Sequence, residues 1–143
     1  MDTAYKTTLE LDKVLARAVQ LCTCRETKAM MQALQPFDTV EEERYALAQT
    51  NAVNALLIKN GSPRFGSVNE VRRVVAHAQK GGILSMGELL EIAATLRNFA
   101  GLNQWYGLSE HEMLPTDDLF YALAPQPVLE RQISESILSP DEM

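Results

Sequence analysis

The sequence predicts an all-α fold, a helical bundle containing an antiparallel helical hairpin, and three observations lead to it. Apolar residues recur at i, i+3, i+4 and i+7 through most of the 143-residue chain, which is the spacing of a helix face rather than of a strand. Five times a Ser or Thr precedes a Glu by three positions: Thr23/Glu26, Thr39/Glu42, Ser67/Glu70, Ser85/Glu88 and Ser109/Glu112. In a capping box the hydroxyl accepts from the third residue's N–H while the carboxylate reaches back to the cap N–H, so each pair marks a candidate helix start. Finally, 46% hydrophobic and 22% charged residues suit a globular domain rather than a disordered or fibrous chain. A compact chain of this length hides roughly 70% of its unfolded surface, enough for a core.

The elements follow in order. Leu11, Val14, Leu15, Ala18, Leu21 and Cys22 fall on one face of a first helix. A second, from about Cys24 to Gln35, turns Met30, Ala33 and Leu34 inward and stops at Pro36. The third and longest runs from about Val40 to Asn60. Its second half, Ala52 to Ile58, is apolar almost all round, which predicts packing on more than one side, and Gly61 caps it. Ser62-Pro63-Arg64-Phe65-Gly66 is a stiff connector, because proline fixes its own φ and restrains the residue before it.

A fourth helix, about Val68 to Lys80, directs Val68, Val71, Val75 and Ala78 inward with Val74 beside them, with Arg73 and Lys80 opposite and Arg72 at the border. The short connection from Lys80 to Ser85 then turns the chain back, so the fifth helix, about Met86 to Ala100, returns antiparallel. Leu89, Ile92, Ala93, Leu96 and Phe99 form its apolar face, and Glu88, Glu91, Thr95 and Asn98 its polar one. Past Gly101 the pattern weakens. A short helix is predicted from Asp117 to Leu123, and Pro127 opens a last one carrying Val128, Leu129, Ile133 and Ile137. The final residues, Ser139 to Met143, add no closing element, and the chain is expected to be cut short there.

The net charge of −6 argues against a protein that coats nucleic acid non-specifically, since such affinity comes from Lys and Arg on phosphate. The charge is uneven: residues 1–58 carry −2, residues 59–97 carry +3 and residues 98–143 carry −7. Lys59, Arg64, Arg72, Arg73, Lys80 and Arg97 make up the basic stretch, and Arg64, Arg72, Arg73 and Lys80 are its candidate phosphate contacts. The competing reading, a solvated helix face, is the commoner one for so small an excess. No apolar run approaches the roughly 18 residues of a membrane helix, and no secretory signal opens the chain. A soluble, cytoplasmic protein with no membrane partner is therefore expected.

Chemistry is sparse. None of the glycines has the spacing of a GxxxxGK[ST] phosphate loop. Cys22 and Cys24, two apart on a helix, point apart and have no second pair to complete a zinc site, so they read as a reduced, half-buried pair. His77 and His111 read as surface histidines. Glu41-Glu42-Glu43 and Asp117-Asp118 have the composition to chelate Mg²⁺ or pair as acid and base, but the first sits in a helix's opening turn, where negative charge offsets the dipole. The nine aromatics are scattered and read as core rather than as base-stacking platforms. No catalytic, cofactor-binding or metal-binding residue is assigned.

Two stretches carry a resemblance. Leu9-Glu10-Leu11-Asp12-Lys13-Val14-Leu15 with Glu26-x-Lys28 and Leu34-Gln35-Pro36 comes first. Ser62-Pro63-Arg64-Phe65-Gly66, Val71-Arg72, Ala78-Gln79-Lys80-Gly81-Gly82-Ile83-Leu84-Ser85 and Glu88-Leu89-Leu90-Glu91-Ile92-Ala93-x-Thr95-Leu96-Arg97 follow. In this order they resemble the N-terminal region of the bacterial MutS-two family, the MutS-like DNA-binding ATPases also called endonuclease MutS type two. The resemblance covers about residues 8–100. Leu11, Ser67 and Met86-Gly87 depart from it, standing where the family more often has an aromatic, a Gly and Pro-Glu.

The resemblance implies a helical core or lever segment that couples a DNA-embracing clamp to an ATPase. It implies ATP and Mg for the full-length protein, a homodimer, often a C-terminal nuclease domain, and DNA or the ribosome as partner. Family roles are suppression of recombination, DNA repair and rescue of stalled ribosomes. On this reading residues 1–100 are a family-like core segment, residues 101–143 a divergent acidic helical extension, and the chain itself is not an enzyme. The rival reading is a free-standing helical adaptor for protein partners.

Overall fold

The computed structural model describes residues 10–64, 66 and 70–137. The chain divides into two compact units, residues 1–36 and 37–143. Among the described residues there are seven helices and no strand, so the fold class is all-α as the sequence predicts.

The first unit holds α1 (Leu11–Leu21) and α2 (Arg25–Gln32), which pack on each other. Leu11, Leu15, Ala18 and Cys22 are half-buried between them, but Val14, Leu21 and Met30 stay exposed. Two helices this short cover only a narrow stripe of each other, so the flanks of each predicted face remain in water. The Thr23 box does not form. Cys24 is the N-cap instead, without a side-chain cap bond, and its thiol donates to Glu26 Oε2 at 2.7 Å.

The second unit holds α3 (Val40–Asn60), α4 (Arg72–Gln79), α5 (Met86–Tyr106), α6 (Asp117–Tyr121) and α7 (Pro127–Ser136). α3 has the predicted ends. Thr39 Oγ1 accepts from the Glu42 N–H at 3.2 Å and Glu42 Oε2 accepts from the Thr39 N–H at 3.3 Å, closing the box. Gly61 ends the helix at φ 73°, in the left-handed half of the map that favours glycine. Its apolar second half packs on one side only among the described residues: Leu56 is buried while Ile58 is 80% exposed.

α5 is the spine of this unit. Its Ser85/Glu88 box is closed in both directions, at 3.3 and 2.9 Å. Gly101 is absorbed into the helix, which continues to Tyr106 rather than stopping at Ala100. Thr95, expected on the polar face, is buried, and its hydroxyl donates back to the Glu91 carbonyl at 2.9 Å. That local bond satisfies the hydroxyl inside an apolar surrounding.

The antiparallel pairing falls between α5 and α7. Asn103 donates to the Leu123 carbonyl, Arg97 meets Glu130 and Ser134, and Ala93 shares a cluster with Ile133 and Ile137, so numbers fall along one helix as they rise along the other. The predicted hairpin partners, α4 and α5, pack on each other far less than α5 and α7 do, and α4 is only eight residues, about 12 Å, long. Of its inward residues Val74, expected at the side of the face, is the buried one at 5% exposure, while Val75 is 40% exposed and Ala78 is exposed too. The predicted start at Val68 and the cap at Ser67 lie outside the described residues.

Two clusters make the core. Leu56, Trp105 and Tyr106 gather Leu114 and Phe120, while Ala93, Ile133 and Ile137 gather Met86, Leu89, Leu90 and Ile92. The Ser109/Glu112 pair starts no helix, and Ser109 Oγ is buried without a partner among the described residues. No helix of the described residues is long and apolar enough to cross a membrane.

Candidate functional site

The Lys80-Gly81-Gly82 turn builds the corner between α4 and α5. Gly81 N–H donates to the Ala78 carbonyl at 2.9 Å and Gly82 N–H to the His77 carbonyl at 3.1 Å, the paired bonds of a Schellman motif. Gly81 adopts φ 80°, where a side chain would be strained. At Gly82 a Cβ would stand 2.2 Å from His77 Nε2, so an added side chain there requires the exposed imidazole over the turn to swing aside. Ser85 then opens α5, so the connection is fixed at both ends.

The structure sorts the basic stretch. Lys59 Nζ donates to the Glu110 carbonyl at 3.0 Å, and Arg97 is engaged by Glu130 and Ser134. The side chains of Arg64, Arg72, Arg73 and Lys80 are exposed and, among the described residues, make no hydrogen bond or ion pair. Arg73, His77 and Lys80 follow i, i+4, i+7 and share a face of α4 and its cap, as the sequence has it. Arg72 stands about 100° aside. Arg64 lies elsewhere, on a connector fixed along α5: the neighbouring Gly66 N–H donates to Asn98 Oδ1 at 2.9 Å.

Glu88 is the carboxylate nearest this corner. Bonds from the Ser85 N–H and hydroxyl hold it below the usual carboxylate range, and the positive charges of His77 and Arg73 add to the effect.

A second constellation joins the C-terminal ends of α3 and α5, and sequence reasoning missed it. Trp105 Nε1–H donates to the Gly61 carbonyl at 2.8 Å, while the Asn60 amide donates to the Trp105 carbonyl at 3.0 Å. Tyr45 OH and Gln49 Nε2 both donate to the Pro115 carbonyl, at 3.1 and 3.0 Å. Tyr106 is 2% exposed and stacks on Phe120 with ring centroids 3.9 Å apart. Its hydroxyl donates to Asp117 Oδ1 at 2.6 Å and lies 2.8 Å from Thr116 Oγ1.

Burial, then the bond to Asp117, pushes the Tyr106 phenol up to about 12. That same bond, with the Leu114 N–H, holds Asp117 below its ordinary value. Asp117 is thus a half-buried carboxylate that positions the Tyr106 hydroxyl. His111, expected on the surface, is half-buried with its ring edge-on to Tyr106 at 4.8 Å. Gly61 as a cap and the lone Trp before a Tyr were visible signals, but nothing in their spacing ties residue 60 to residue 105.

Elsewhere the chemistry is thin. Cys22 and Cys24 are free, half-buried thiols. Among the described residues no group of three or more His, Cys, Asp or Glu stands ready for a metal ion. A groove in the first unit is lined by Asp12, Leu15, Ala16, Val19, Gln20 and Gln32, with Asp12 its one ionisable group.

No family model matches the chain, and no solved structure matches it significantly. Curated relatives do. Endonuclease MutS2 of Clostridium beijerinckii is 30% identical over 137 residues, covering 94% of this chain and 17% of that protein. Endonuclease MutS2 of Clostridium botulinum is 29% identical over 137 residues, covering 94% of this chain and 18% of the relative. The Ruminiclostridium cellulolyticum protein of the same name is 28% identical, with 94% and 17% covered. The chain therefore spans under a fifth of the length of these relatives. With the ordered motifs and the helical architecture, this likeness over 94% of its length relates the chain to the endonuclease MutS2 family.

Proposed function

We propose that this chain is the helical core or lever segment of a MutS2-type protein, a structural part that couples a DNA-holding clamp to an ATPase. The observation that carries the reading is the coverage: 94% of this chain aligns with 17–18% of proteins named for an endonuclease activity. The joint between α3 and α5 supports it. Reciprocal bonds at Asn60, Gly61 and Trp105 pin the ends of two 21-residue helices together, and pinned helices transmit displacement as a body rather than bending.

ATP and Mg, homodimerisation and nuclease chemistry belong, on this proposal, to the whole protein. So do DNA or the ribosome as target, with recombination suppression, DNA repair or stalled-ribosome rescue as outcome. Arg64, Arg72, Arg73 and Lys80 are the side chains with charge to offer a phosphate.

The test has two arms. Purified chain incubated with ATP, Mg²⁺ and duplex or branched DNA is expected to hydrolyse and cleave nothing; turnover that survives removal of contaminants overturns the structural role. The reading frame is expected to continue past Met143 into a GxxxxGK[ST] loop several hundred residues later. A stop codon at that point sinks the proposal in favour of the free-standing adaptor, which the many exposed apolar side chains also suit.

A further inference from the structure

We propose that Cys22 and Cys24 form a two-coordinate site for a soft, thiophilic cation of the copper(I) class, seated on the link between α1 and α2. Neither cysteine lies in a helix. Cys22 follows α1 as its C-cap at φ −77°, ψ 134°, and Cys24 precedes α2 as its N-cap at φ −97°, ψ 142°. The chain runs straight through Cys22 and Thr23 and bends only at Cys24. In such an extended stretch successive side chains alternate sides, so residues two apart share one. The helical geometry that would point the thiols apart is absent, and both are half-buried and outside any disulfide.

Spacing and donor number select the ligand. Two residues of extended chain separate their Cα atoms by about 6.6 Å, at the upper end of what a disulfide spans, so the pair is poorly placed to close on itself. A metal held in line between two sulfurs, with bonds of about 2.3 Å, keeps those sulfurs about 4.6 Å apart, which suits two thiols on one side of an extended link. A structural zinc ion takes four donors, and among the described residues no group of three or more His, Cys, Asp or Glu stands ready for a metal ion. Copper(I) selects thiolates, and two in line complete its coordination.

The protons have somewhere to go. Cys22 Sγ donates to the Ala18 carbonyl at 3.4 Å, and Cys24 Sγ donates to Glu26 Oε2 at 2.7 Å. Binding breaks both S–H bonds and forms two S–Cu bonds with no change of oxidation state, so one copper(I) and two thiols give a singly negative bis-thiolate and two protons. Glu26 is the acceptor through which the Cys24 proton leaves. The positive end of α2, whose Cys24 cap makes no side-chain cap bond, offsets the negative charge left on the site. The inference does not rest on the MutS2 relationship.

The test is anaerobic titration of the reduced full chain with copper(I), supplied as its acetonitrile complex, against the chromogenic chelator bicinchoninate, with proton release followed in weak buffer. One copper(I) bound by each chain, two protons released with it and no change in oligomeric mass are expected. Cys22→Ser and Cys24→Ser should each weaken binding by about a hundredfold, because the second sulfur no longer binds as an intramolecular partner. Circular dichroism checks both variants, and Cys22→Ala and Cys24→Ala take their place where a serine variant unfolds.

Three results overturn the proposal. One is a single-cysteine variant that binds as tightly as the unaltered chain, which makes each thiol act alone. Another is one copper(I) shared by two chains, which makes the thiols an intermolecular bridge. The third is displacement of copper(I) by an equal concentration of Zn²⁺, which requires donors this link lacks.

Discussion

At Tyr106 two demands meet, an aromatic face that belongs in the core and a hydroxyl that must not be buried alone. Phe120 takes the ring, and Asp117 with Thr116 takes the hydroxyl. Because the folded phenol is raised from 10.0 to about 12, the fold favours its neutral form. The stabilisation is whole below pH 10 and is lost as pH rises from there through about 12. In an alkaline absorbance titration, one of the four tyrosines is expected to ionise late and together with loss of helical signal. Tyr106→Phe should remove the late step; uniform ionisation near pH 10 in the unaltered chain would contradict the arrangement. Gly81 gives a second prediction at this scale. With φ at 80°, Gly81→Ala should cost about 1–2 kcal/mol in urea unfolding, and an unchanged midpoint would mean the turn does not need its left-handed residue.

Among helices, the capping boxes separate pattern from outcome. Thr39 and Ser85 close boxes, whereas Thr23 and Ser109 carry the same spacing without forming one. Thr39→Ala and Ser85→Ala are each expected to lower stability by about 1 kcal/mol, while Thr23→Ala should be close to neutral. A spacing of four residues is a local signal, and it becomes a helix start only where the residues that follow can bury a stripe. After Ser109 they do something else: Tyr45 and Gln49 of α3 bind the Pro115 carbonyl, and Thr116 and Asp117 bind Tyr106.

The joint of α3 with α5 belongs to this scale too. Trp105→Ala, which leaves a cavity beside Leu56 and frees the Gly61 carbonyl, should cost about 3–5 kcal/mol. Trp105→Phe, which loses chiefly the bond, should cost about 1 kcal/mol. As Trp105 is the single tryptophan, circular dichroism rather than fluorescence must follow both variants.

For the molecule as a whole, acid stability ties these sites together. Glu88, Asp117 and Glu130 are all held below their ordinary values, by Ser85, by Tyr106 and by Arg97 respectively. A carboxylate depressed in the folded state stabilises above its unfolded value and loses that contribution as pH falls through the folded one. Urea midpoints should therefore be level between about pH 5 and 8 and drop below about pH 4. Asp117→Asn should shrink the drop, and an unaltered acid profile in that variant would show that Asp117 is no part of it. Much apolar surface also remains uncovered at this scale, on α3, on the α4–α5 corner and on α7. That fits a chain related to proteins more than five times its span.

The sequence by itself determined the helical class, both ends of α3, the start of α5 and the place of Pro127 in the first turn of α7. All of these rest on neighbours a few residues apart: periodic apolar positions, a hydroxyl three residues before a carboxylate, a glycine or proline at an end. Its ordered motifs also carried the MutS2 relationship. Tertiary structure alone decided that Val74 rather than Val75 turns inward, that α7 rather than α4 runs along α5, and that Lys59 and Arg97 are engaged while four other cations stay free. It also decided that Trp105 reaches Gly61, 44 positions away. A helix pattern specifies an apolar arc but not which part of it another element will cover. That choice depends on contacts between residues far apart in the chain, whose pairing no local spacing encodes.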